Sequence, residues 1–253
     1  MAKRSAALLL LAVATTAHAD WSIRSSDSEP GRGGIAHRRV VLENANGNKS
    51  AVVDLAIFSA KSCALRVIDN PTGETLSDTM AREKCAAGVN GGFFKPDFTP
   101  VGLLISDGKL VAPLAPARLM TGILRASTHE VQIQRLREFS RQEKVNAAVQ
   151  SGPFLVDHYE PIPGLDDSHI ARRTFVATGS NDPAALGTCS GVSLAELAAI
   201  LTTTRLADDL KIQRVLNLDG GSSSAFWVAR EKGGAFSIHE QKPVRDFVGV
   251  VPK

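Results

Sequence analysis

The sequence predicts an α+β fold: a single domain with a mixed, largely antiparallel central sheet flanked by a few helices. Three observations lead to this prediction. Apolar segments of strand length recur along the chain, tight Gly-, Asn- and Asp-containing turns join most of them, and helical patterns are confined to two or three segments. Regular helical crossovers, which a doubly wound parallel sheet needs, do not recur in the pattern. A length of 253 residues with 43% hydrophobic residues suits one large domain.

The N-terminus has the pattern of a secretory signal peptide. A basic start at Lys3 and Arg4 precedes an apolar segment, and Ala17 and Ala19 form an Ala-x-Ala cleavage site. The apolar segment is too short to cross a bilayer as a helix. We therefore expect residues 1–19 to be removed, which leaves a periplasmic or secreted protein without a membrane anchor. A buried N-terminal helix is the alternative.

The first third of the chain reads as an arm followed by strands and a short helix. Residues 20–37 are polar and rich in Ser and Gly, which favours a loose arm, and the first strand is expected at 38–43. The arm and this strand form the predicted segment 20–49. Further strands are expected at 51–58 and 63–69, and a short helix at 77–85 with Ser77 as its cap.

The rest of the chain is dominated by strands. Asp107 and Gly108 predict a type I′ hairpin, because this turn needs positive φ at both central positions. Ser193 and Glu196 form a capping box that opens an apolar helix to about residue 203. The charged segment 135–144 is expected as a linker or helix. The remaining predicted strands are 101–106, 109–112, 121–126, 130–134, 147–156, 174–178, 213–218, 225–228, 236–239 and 247–251.

Two glycine-rich turns carry the strongest functional signal. Asn90 precedes Gly91 and Gly92, and Asp219 precedes Gly220 and Gly221; each turn follows an apolar strand. Paired glycines let a ligand approach the main-chain amides closely. Three hydroxyls follow the second turn, on Ser222, Ser223 and Ser224, and with the free amides they favour an anion-binding loop beside an acid. The alternative is that Asp219 and Asn90 only shape their turns.

Arginines could supply the cations that such a loop needs. Arg172 and Arg173 point to opposite faces if the segment is extended, so at most one should enter a given pocket. We expect Arg173, which precedes Thr174 and an apolar strand, to be that residue. Arg245 is the second candidate, because a guanidinium binds phosphate through two parallel bonds. A salt bridge from Arg245 to Asp246 or Glu240 is the alternative.

Composition and missing motifs exclude several classes of function. The net charge falls from +3 to about +1 once Lys3 and Arg4 are removed, and no long basic tract exists, so nucleic acid is not expected as a partner. No metal-ligand spacing, Walker loop or G-x-S-x-G elbow occurs, and neither a metal nor a cofactor is expected. The three cysteines leave two options open, one disulfide with a spare thiol or three buried thiols: Cys63, Cys85 and Cys189.

The order of these motifs resembles the phosphodiester glycosidase family. The motifs are Asn90-Gly91-Gly92-Phe93-Phe94, Pro100-Val101-Gly102, Gln150-Ser151-Gly152-Pro153, Arg173-Thr174, Asp219-Gly220-Gly221-Ser222-Ser223 and Arg245. No single motif is specific, but their order is, and the resemblance spans about residues 50–251. It implies one domain around a mixed sheet, here 50–253. It also implies hydrolysis of the bond between a sugar anomeric carbon and a phosphodiester oxygen.

The resemblance also assigns roles to residues. It implies that Asp219, Arg173 and Asn90 are catalytic, with Asp219 activating water or stabilising the oxocarbenium-like centre. The implied substrate-binding residues are Gly91, Gly92, Ser151, Gly152, Thr174, Gly220, Gly221, Ser222, Ser223, Ser224 and Arg245. The expected partner is a glycosyl phosphodiester or a phosphorylated glycan. Two alternatives remain: a non-catalytic envelope glycan-binding or exopolysaccharide-export accessory protein, and a phosphodiesterase that cuts on the other side of phosphorus.

Overall fold

The structure is a computed structural model that describes residues 21–116, 118–128, 130–140, 145–180, 182–208 and 210–253. The predicted signal peptide lies outside these residues, as does part of the charged segment, 141–144. The described chain folds into three β-sheets and two α-helices. Neither described helix has the length and hydropathy needed to cross a membrane.

The largest sheet has eight strands. They are β1 (Trp21–Pro30), β2 (Ala36–Asn44), β3 (Ser50–Ser59), β11 (Phe154–Asp157), β12 (Glu160–Pro161), β13 (Ala171–Gly179), β14 (Pro183–Val192) and β15 (Ile212–Asn217). Their order in the sheet is β1-β2-β3-β14-β13-β15-β11-β12. The central strands β13 and β15 therefore come from the part of the chain that carries the arginine pair and the Asp219 turn.

The other two sheets have five strands each. The second contains β6 (Leu104–Ser106), β7 (Lys109–Ala112), β8 (Gly122–Ala126), β9 (Val131–Arg135) and β10 (Ala147–Ser151), in the order β7-β6-β10-β8-β9. The third contains β4 (Cys63–Asp69), β5 (Ala87–Asn90), β16 (Phe226–Ala229), β17 (Ala235–Ile238) and β18 (Asp246–Pro252), in the order β17-β16-β5-β18-β4.

The strand pairing refines the predicted fold class. Every pair between described strands is antiparallel, so the largely antiparallel character is confirmed, but the sheet is not mixed. The strands form three sheets instead of one central sheet, and the fold is mainly β. Alternation along one strand shows that a strand exists and does not show which sheet it joins, so sequence reasoning could not separate the three sheets.

The predicted loose arm is wrong. Residues Trp21–Pro30 form an edge strand whose register runs from Trp21 opposite Asn44 to Pro30 opposite Ala36. Only Trp21 of this strand is buried. Main-chain hydrogen bonds hold an edge strand without an apolar face, so its side chains carry no period-two signal.

The two helices and the hairpin follow their sequence signals closely. Helix α1 (Leu76–Arg82) begins after Thr75, whose hydroxyl accepts the Asp78 N–H at 3.2 Å, so the cap is two residues earlier than Ser77. Helix α2 (Leu194–Thr203) has the predicted capping box between Ser193 and Glu196. Asp107 and Gly108 have φ of 48° and 75°, which confirms the type I′ expectation.

The main apolar core lies where the three sheets meet. Phe154 and Leu216 come from the first sheet, Val149 from the second, and Val89 and Val248 from the third; all five belong to one cluster. Strands β5, β10 and β15 each contribute to this core and end at a motif singled out in the sequence. The core therefore brings the ends of those three strands together.

All three cysteines are buried free thiols. This is the second of the two options that the sequence left open. Burial raises the pKa of the Cys85 thiol to about 12 and also raises the pKa of Cys189. These thiols are therefore un-ionised side chains packed among apolar residues.

Candidate active site

The two glycine-rich turns meet at one point. The Asp219 N–H donates to the Gly91 carbonyl at 3.1 Å, and the Gly91 N–H donates to the Asp246 carbonyl at 2.8 Å. Gly91 therefore joins the end of β15 to the start of β18. Two carboxylate-bearing residues, Asp219 and Asp246, are thus bonded through their main chains to the same glycine.

Asn90 ties these elements together through its side chain. Its Nδ2 donates to the Asp219 carbonyl at 2.7 Å, while its Oδ1 accepts the Thr174 hydroxyl at 2.8 Å and the Ala225 N–H at 3.0 Å. The residue is 1% exposed. Both acceptor positions of the amide oxygen are used within the protein. Asn90 and Thr174 thus position the Asp219 turn, and the catalytic role that the resemblance implies for Asn90 stays a prediction.

Asp219 is a half-buried acid at the edge of this cluster. Its Oδ1 accepts the Gly220 N–H at 2.9 Å. Burial raises the pKa of Asp219 above its usual value, while the nearby Ser223 hydroxyl, Lys242 and the Gly220 N–H oppose that rise. The Ser223 Oγ lies near this carboxylate without a formed hydrogen bond, since the atom has no hydrogen-bond partner in the described chain. The carboxylate therefore faces donors that a ligand could share.

The loop after Asp219 has the features of an anion site. Gly221 to Ser223 form one 3-10 turn, and Gly221 has φ 61° with open space where a side chain would lie. The first bond within the turn comes from the Ser223 N–H, so the Gly221 and Ser222 amides have no main-chain acceptor among the described residues. The Ser224 Oγ is buried and also lacks a partner there. We name residues 219–224 the serine loop.

The paired arginines contact different parts of the site, and a ligand-binding role for Arg173 stays a prediction. The Arg172 guanidinium hydrogen-bonds to the serine loop: its Nε donates to the Gly221 carbonyl at 3.1 Å and its Nη1 to the His239 carbonyl at 3.3 Å. The Arg173 guanidinium donates to the carbonyls of Val192, at 3.0 Å, and of His169. A register shift in β13 between residues 171 and 173 interrupts the simple alternation of the strand at this pair.

Arg173 is a buried cation held by carbonyl oxygens. Burial is the main cause of its lowered pKa. Its Cδ would lie 4.0 Å from a Cβ added at Gly220, so the aliphatic part of the side chain packs beside the serine loop while its charged end is directed elsewhere. The aliphatic part of Arg173 therefore supports the serine loop, and Arg172 is the arginine whose guanidinium donates to that loop.

Arg245 is neutralised within the protein. Its guanidinium pairs with Asp69, whereas the sequence analysis considered Asp246 and Glu240 as partners, and it lies 6.0 Å from the Phe98 ring centroid.

Lys242, which the sequence analysis missed, is an exposed cation close enough to lower the pKa of Asp219. Its Nζ lies 5.1 Å from the Phe94 ring centroid. An isolated lysine in a polar segment carries no sequence signal that sets it apart.

Asp246 is the second residue that sequence reasoning missed. It is 1% exposed; its Oδ1 accepts the Gly92 N–H at 2.8 Å, and its Oδ2 is buried without a partner in the described chain. Burial raises the pKa of Asp246 to about 6, with further increases from Asp69 and Asp219, while the Gly92 N–H and Arg245 oppose them. The sequence did not distinguish Asp246 as a site residue, because an Asp next to an Arg is usually interpreted as the ion-pair partner of that Arg.

Asp246 makes the stability of the protein depend on pH. An unfolded Asp ionises near pH 4, whereas the folded state holds this proton to about pH 6, so stability falls as pH rises between these values. We expect Asp246→Asn to remove this loss, and to gain up to about 3 kcal/mol relative to wild type by pH 7. Urea denaturation at pH 4.5, 5.5 and 7 measures the difference. Asp167→Asn, at an exposed position, is the matched control. If the free energies of unfolding of wild type and Asp246→Asn changed equally between pH 4.5 and pH 7, the raised pKa of Asp246 would be contradicted.

The Ser-Gly-Pro segment reaches the same junction from the second sheet. A Cβ added at Gly92 would lie 2.8 Å from the Val149 side chain and 3.5 Å from the Gln150 carbonyl, so the end of β10 packs on the Asn90 turn. Asn217 connects the segment to β15, because its Nδ2 donates to the Gly152 carbonyl at 2.9 Å. Ser151 is fully buried. The structure thus brings Ser151 and Gly152 to the cluster as supporting residues.

Several buried polar atoms around this junction have no hydrogen-bond partner in the described chain. Besides the serine-loop hydroxyls, they are Ser151 Oγ, Arg172 Nη2, Asn217 Oδ1, Glu240 Oε2 and Asp246 Oδ2. Buried polar groups are nearly always satisfied by protein, ligand or ordered water, so their concentration here indicates a polar ligand site. In the described residues, no group of three or more His, Cys, Asp and Glu side chains could hold a metal ion.

An acid beside a cradle of anion donors, at a junction of antiparallel sheets, defines a candidate hydrolase site. Comparison with known families specifies the class: the model of the phosphodiester glycosidase family matches residues 83–251, more than half of the chain. The chain therefore belongs to the phosphodiester glycosidase family. A search of curated proteins found no match.

Solved structures share the fold at low identity. The catalytic domain of zebrafish N-acetylglucosamine-1-phosphodiester alpha-N-acetylglucosaminidase, auto-inhibited by its pro-peptide, aligns with a TM-score of 0.63 and 15% identity over 95% of this chain and 85% of that one. A protein from Synechocystis aligns with a TM-score of 0.62 and 14% identity, over 90% and 64% of the two chains. A protein from Burkholderia pseudomallei gives 0.52 and 14%, over 80% and 74%. At these identities the similarity establishes the fold alone.

Proposed function

We propose that the protein is an exported hydrolase that cleaves a glycosyl-1-phosphodiester between the sugar anomeric carbon and the phosphodiester oxygen. The observation that carries this proposal is the position of Asp219. Its half-buried carboxylate stands beside a loop with two free amides, and two cations, Arg172 and Lys242, lie near that loop without a carboxylate ion pair in the described chain. Membership in the phosphodiester glycosidase family supports the same chemistry.

The leaving group explains why this arrangement is sufficient. Most glycosidases need one carboxyl group to protonate a poor leaving group and a second to attack or to activate water. A phosphate monoester is already a stable anion, so it leaves without strong acid help. Arg172, Lys242 and the free amides of the serine loop neutralise the charge that develops on the departing phosphate. Preorganised donors of this kind are typically worth 10²–10³ in rate each.

Asp219 acts on the other partner of the reaction. Its carboxylate accepts a proton from water while the water oxygen bonds to the anomeric carbon. The bond from that carbon to the phosphodiester oxygen breaks, and its electron pair leaves with the phosphomonoester. Asp246 does not touch the substrate, since its carboxyl group is buried; it is a positioning residue that holds Gly91 and Gly92 under the Asp219 turn.

Product analysis tests the reaction. A panel of sugar-1-phosphodiesters is incubated with the mature protein, with and without a chelator, and the products are identified by mass spectrometry. We expect free sugar and a phosphomonoester. Sugar phosphate and free alcohol would instead indicate a phosphodiesterase, and saturable binding of a phosphorylated glycan without turnover would indicate the non-catalytic accessory protein.

The two arginines are expected to differ in their effects. Arg172→Gln removes a guanidinium at the serine loop, so kcat/KM should fall about 100-fold, as expected for the loss of a charge-assisted hydrogen bond to the departing phosphate. Arg173→Gln should mainly lower the free energy of unfolding, because Arg173 binds two carbonyls within the protein. Steady-state kinetics and urea denaturation on both variants separate the roles. A larger loss of kcat/KM for Arg173→Gln at equal folded fraction would reverse the assignment.

Export is part of the proposal. The N-terminal pattern described above supports cleavage after Ala19 and release to the periplasm or medium. N-terminal sequencing of the protein recovered from the periplasmic fraction tests this directly. A start at Asp20 is expected, and a cytoplasmic protein that retains Met1 would contradict it.

A further inference from the structure

A second pocket borders the serine loop on the side of the large sheet. It has a volume of about 200 Å³. Its lining residues are Arg39, Val52, Asp54, Arg172, Thr188, Cys189, Ser190, Ser224 and Ile238. Ligand sites for drug-sized molecules usually measure about 300–1,000 Å³, so this pocket has room for one small group and not for a glycan. We name it the Arg39 pocket.

The Arg39 pocket is separate from the reacting atoms but connected to them. Asp219 does not line it, and of the serine loop only Ser224 does. Arg172 belongs to both sites, because it lines the pocket and its Nε donates to the Gly221 carbonyl of the serine loop. A group in this pocket would therefore lie beside the scissile bond without occupying the position of the departing phosphate.

Two buried polar atoms of the lining residues lack partners in the described chain. They are the Arg172 Nη2 and the Ser224 Oγ, and Ser224 is 1% exposed. The Thr188 hydroxyl also has no hydrogen bond among these residues. The lining thus includes one guanidinium and two hydroxyls whose hydrogen-bonding capacity the described protein leaves unused.

The charge of the pocket is positive. Asp54 is the single carboxylate among the described lining residues. It already interacts with the Arg39 Nη1, at 3.2 Å from each carboxylate oxygen, and with the His37 Nε2 at 3.0 Å. The Arg39 guanidinium also stacks over the Phe236 ring, with its Cζ 5.3 Å from the ring centroid. With Asp54 offset by Arg39, the charge of Arg172 remains uncompensated, which favours an anion.

We propose that the Arg39 pocket binds a small oxyanion of the substrate, a phosphate or carboxylate group outside the scissile bond. The protein would then select glycosyl phosphodiesters that carry a second negative group next to the diester. Arg39 and Asp54 lie outside residues 83–251, the region that the family model matches, so membership of the family does not by itself imply this preference. Placing the anion on the substrate rests on the proposed function; binding of the anion itself does not.

Calorimetric titration with inorganic phosphate, and separately with acetate, tests the pocket. We expect wild type to bind at least one of the two anions and Arg39→Gln to bind it at least tenfold more weakly. Arg38→Gln is the matched control, because Arg38 lies on the same strand and its guanidinium contacts Ser26 instead of the pocket. Its affinity should equal that of wild type. Equal affinity in Arg39→Gln, or no binding of either anion to wild type, overturns the proposal.

A second variant guards against a folding defect. Thr188→Val removes a hydroxyl with no partner in the described protein and keeps the shape of the side chain, so it should fold and still weaken anion binding several-fold. Unchanged binding in a folded Thr188→Val would exclude the pocket as the site. Asp219→Asn separates the two proposals, because it should lose turnover and retain anion binding. If wild type turned over no phosphodiester, the proposed function would be contradicted while the titration result would stand.

Discussion

Asp219→Asn is expected to lower kcat on a glycosyl-1-phosphodiester by about 10³-fold or more, with KM little changed. The amide keeps the size and the Gly220 hydrogen bond of the carboxylate but cannot accept a proton from water. Steady-state kinetics on wild type and variant measure the loss. The folded state should not suffer, because burial already raises the pKa of Asp219 and thus disfavours its charged form.

The control for this substitution is Asp167→Asn, an identical chemical change at an exposed position. It should leave kcat and KM unchanged. The pH profile gives a second readout: the acidic limb of kcat/KM should have its midpoint above the ordinary pKa of an Asp, and rates should fall below it as Asp219 becomes protonated. Near-wild-type turnover by a folded Asp219→Asn would exclude Asp219 as the base.

Gly91→Ala is expected to destabilise the protein by about 3 kcal/mol and to abolish activity. A Cβ at this position would lie 1.8 Å from the Asp246 Oδ1 and 3.0 Å from the Asp246 carbonyl oxygen. The carboxyl group is fully buried and the carbonyl is main chain, so neither can move away cheaply; overpacking of this kind costs about 1–3 kcal/mol and occasionally more. Moving Asp246 would also displace Gly91, whose carbonyl accepts the Asp219 N–H.

Gly191→Ala is the matched control for the Gly91 substitution. Gly191 lies exposed on β14, and an added Cβ would meet only the Ile170 side chain, at 3.4 Å. We expect its free energy of unfolding and its activity to stay near wild type. Chemical denaturation and turnover measured on both variants decide the matter, and a Gly91→Ala protein as stable as Gly191→Ala would show that the Asp246 carboxyl group is not fixed against this turn.

Local signals predicted the elements whose chemistry is local. The capping box at Ser193, the turn at Asp107 and the two glycine turns each depend on residues a few positions apart, and the structure has all of them. The edge strand at Trp21–Pro30 was missed because its pairing, not its side chains, makes it a strand. The different partners of Arg172 and Arg173 were not predictable, because the register shift in β13 that separates them leaves no sequence signal.

The site residues also divide into those that local sequence patterns predict and those that only distant contacts identify. Asn90 and Asp219 were chosen from their turns, and they do meet, but the role of Asn90 depends on three partners from distant segments. Asp246 and Lys242 were missed because only their surroundings distinguish them. Asp246 is unusual by burial against Gly92, and Lys242 by its distance to Asp219 and to the Phe94 ring.

By itself, the sequence determined the glycine turns, the acid that one of them presents, the hydroxyls beside it and the membership of a family. Those properties are written in neighbouring residues, since turn conformation and functional-group chemistry act over a few bonds. Only the tertiary structure decided which cation reaches the loop, which carboxyl group is buried beneath it and that a positively charged pocket adjoins it. These depend on strand register and on desolvation, which are set by contacts between residues far apart in the chain.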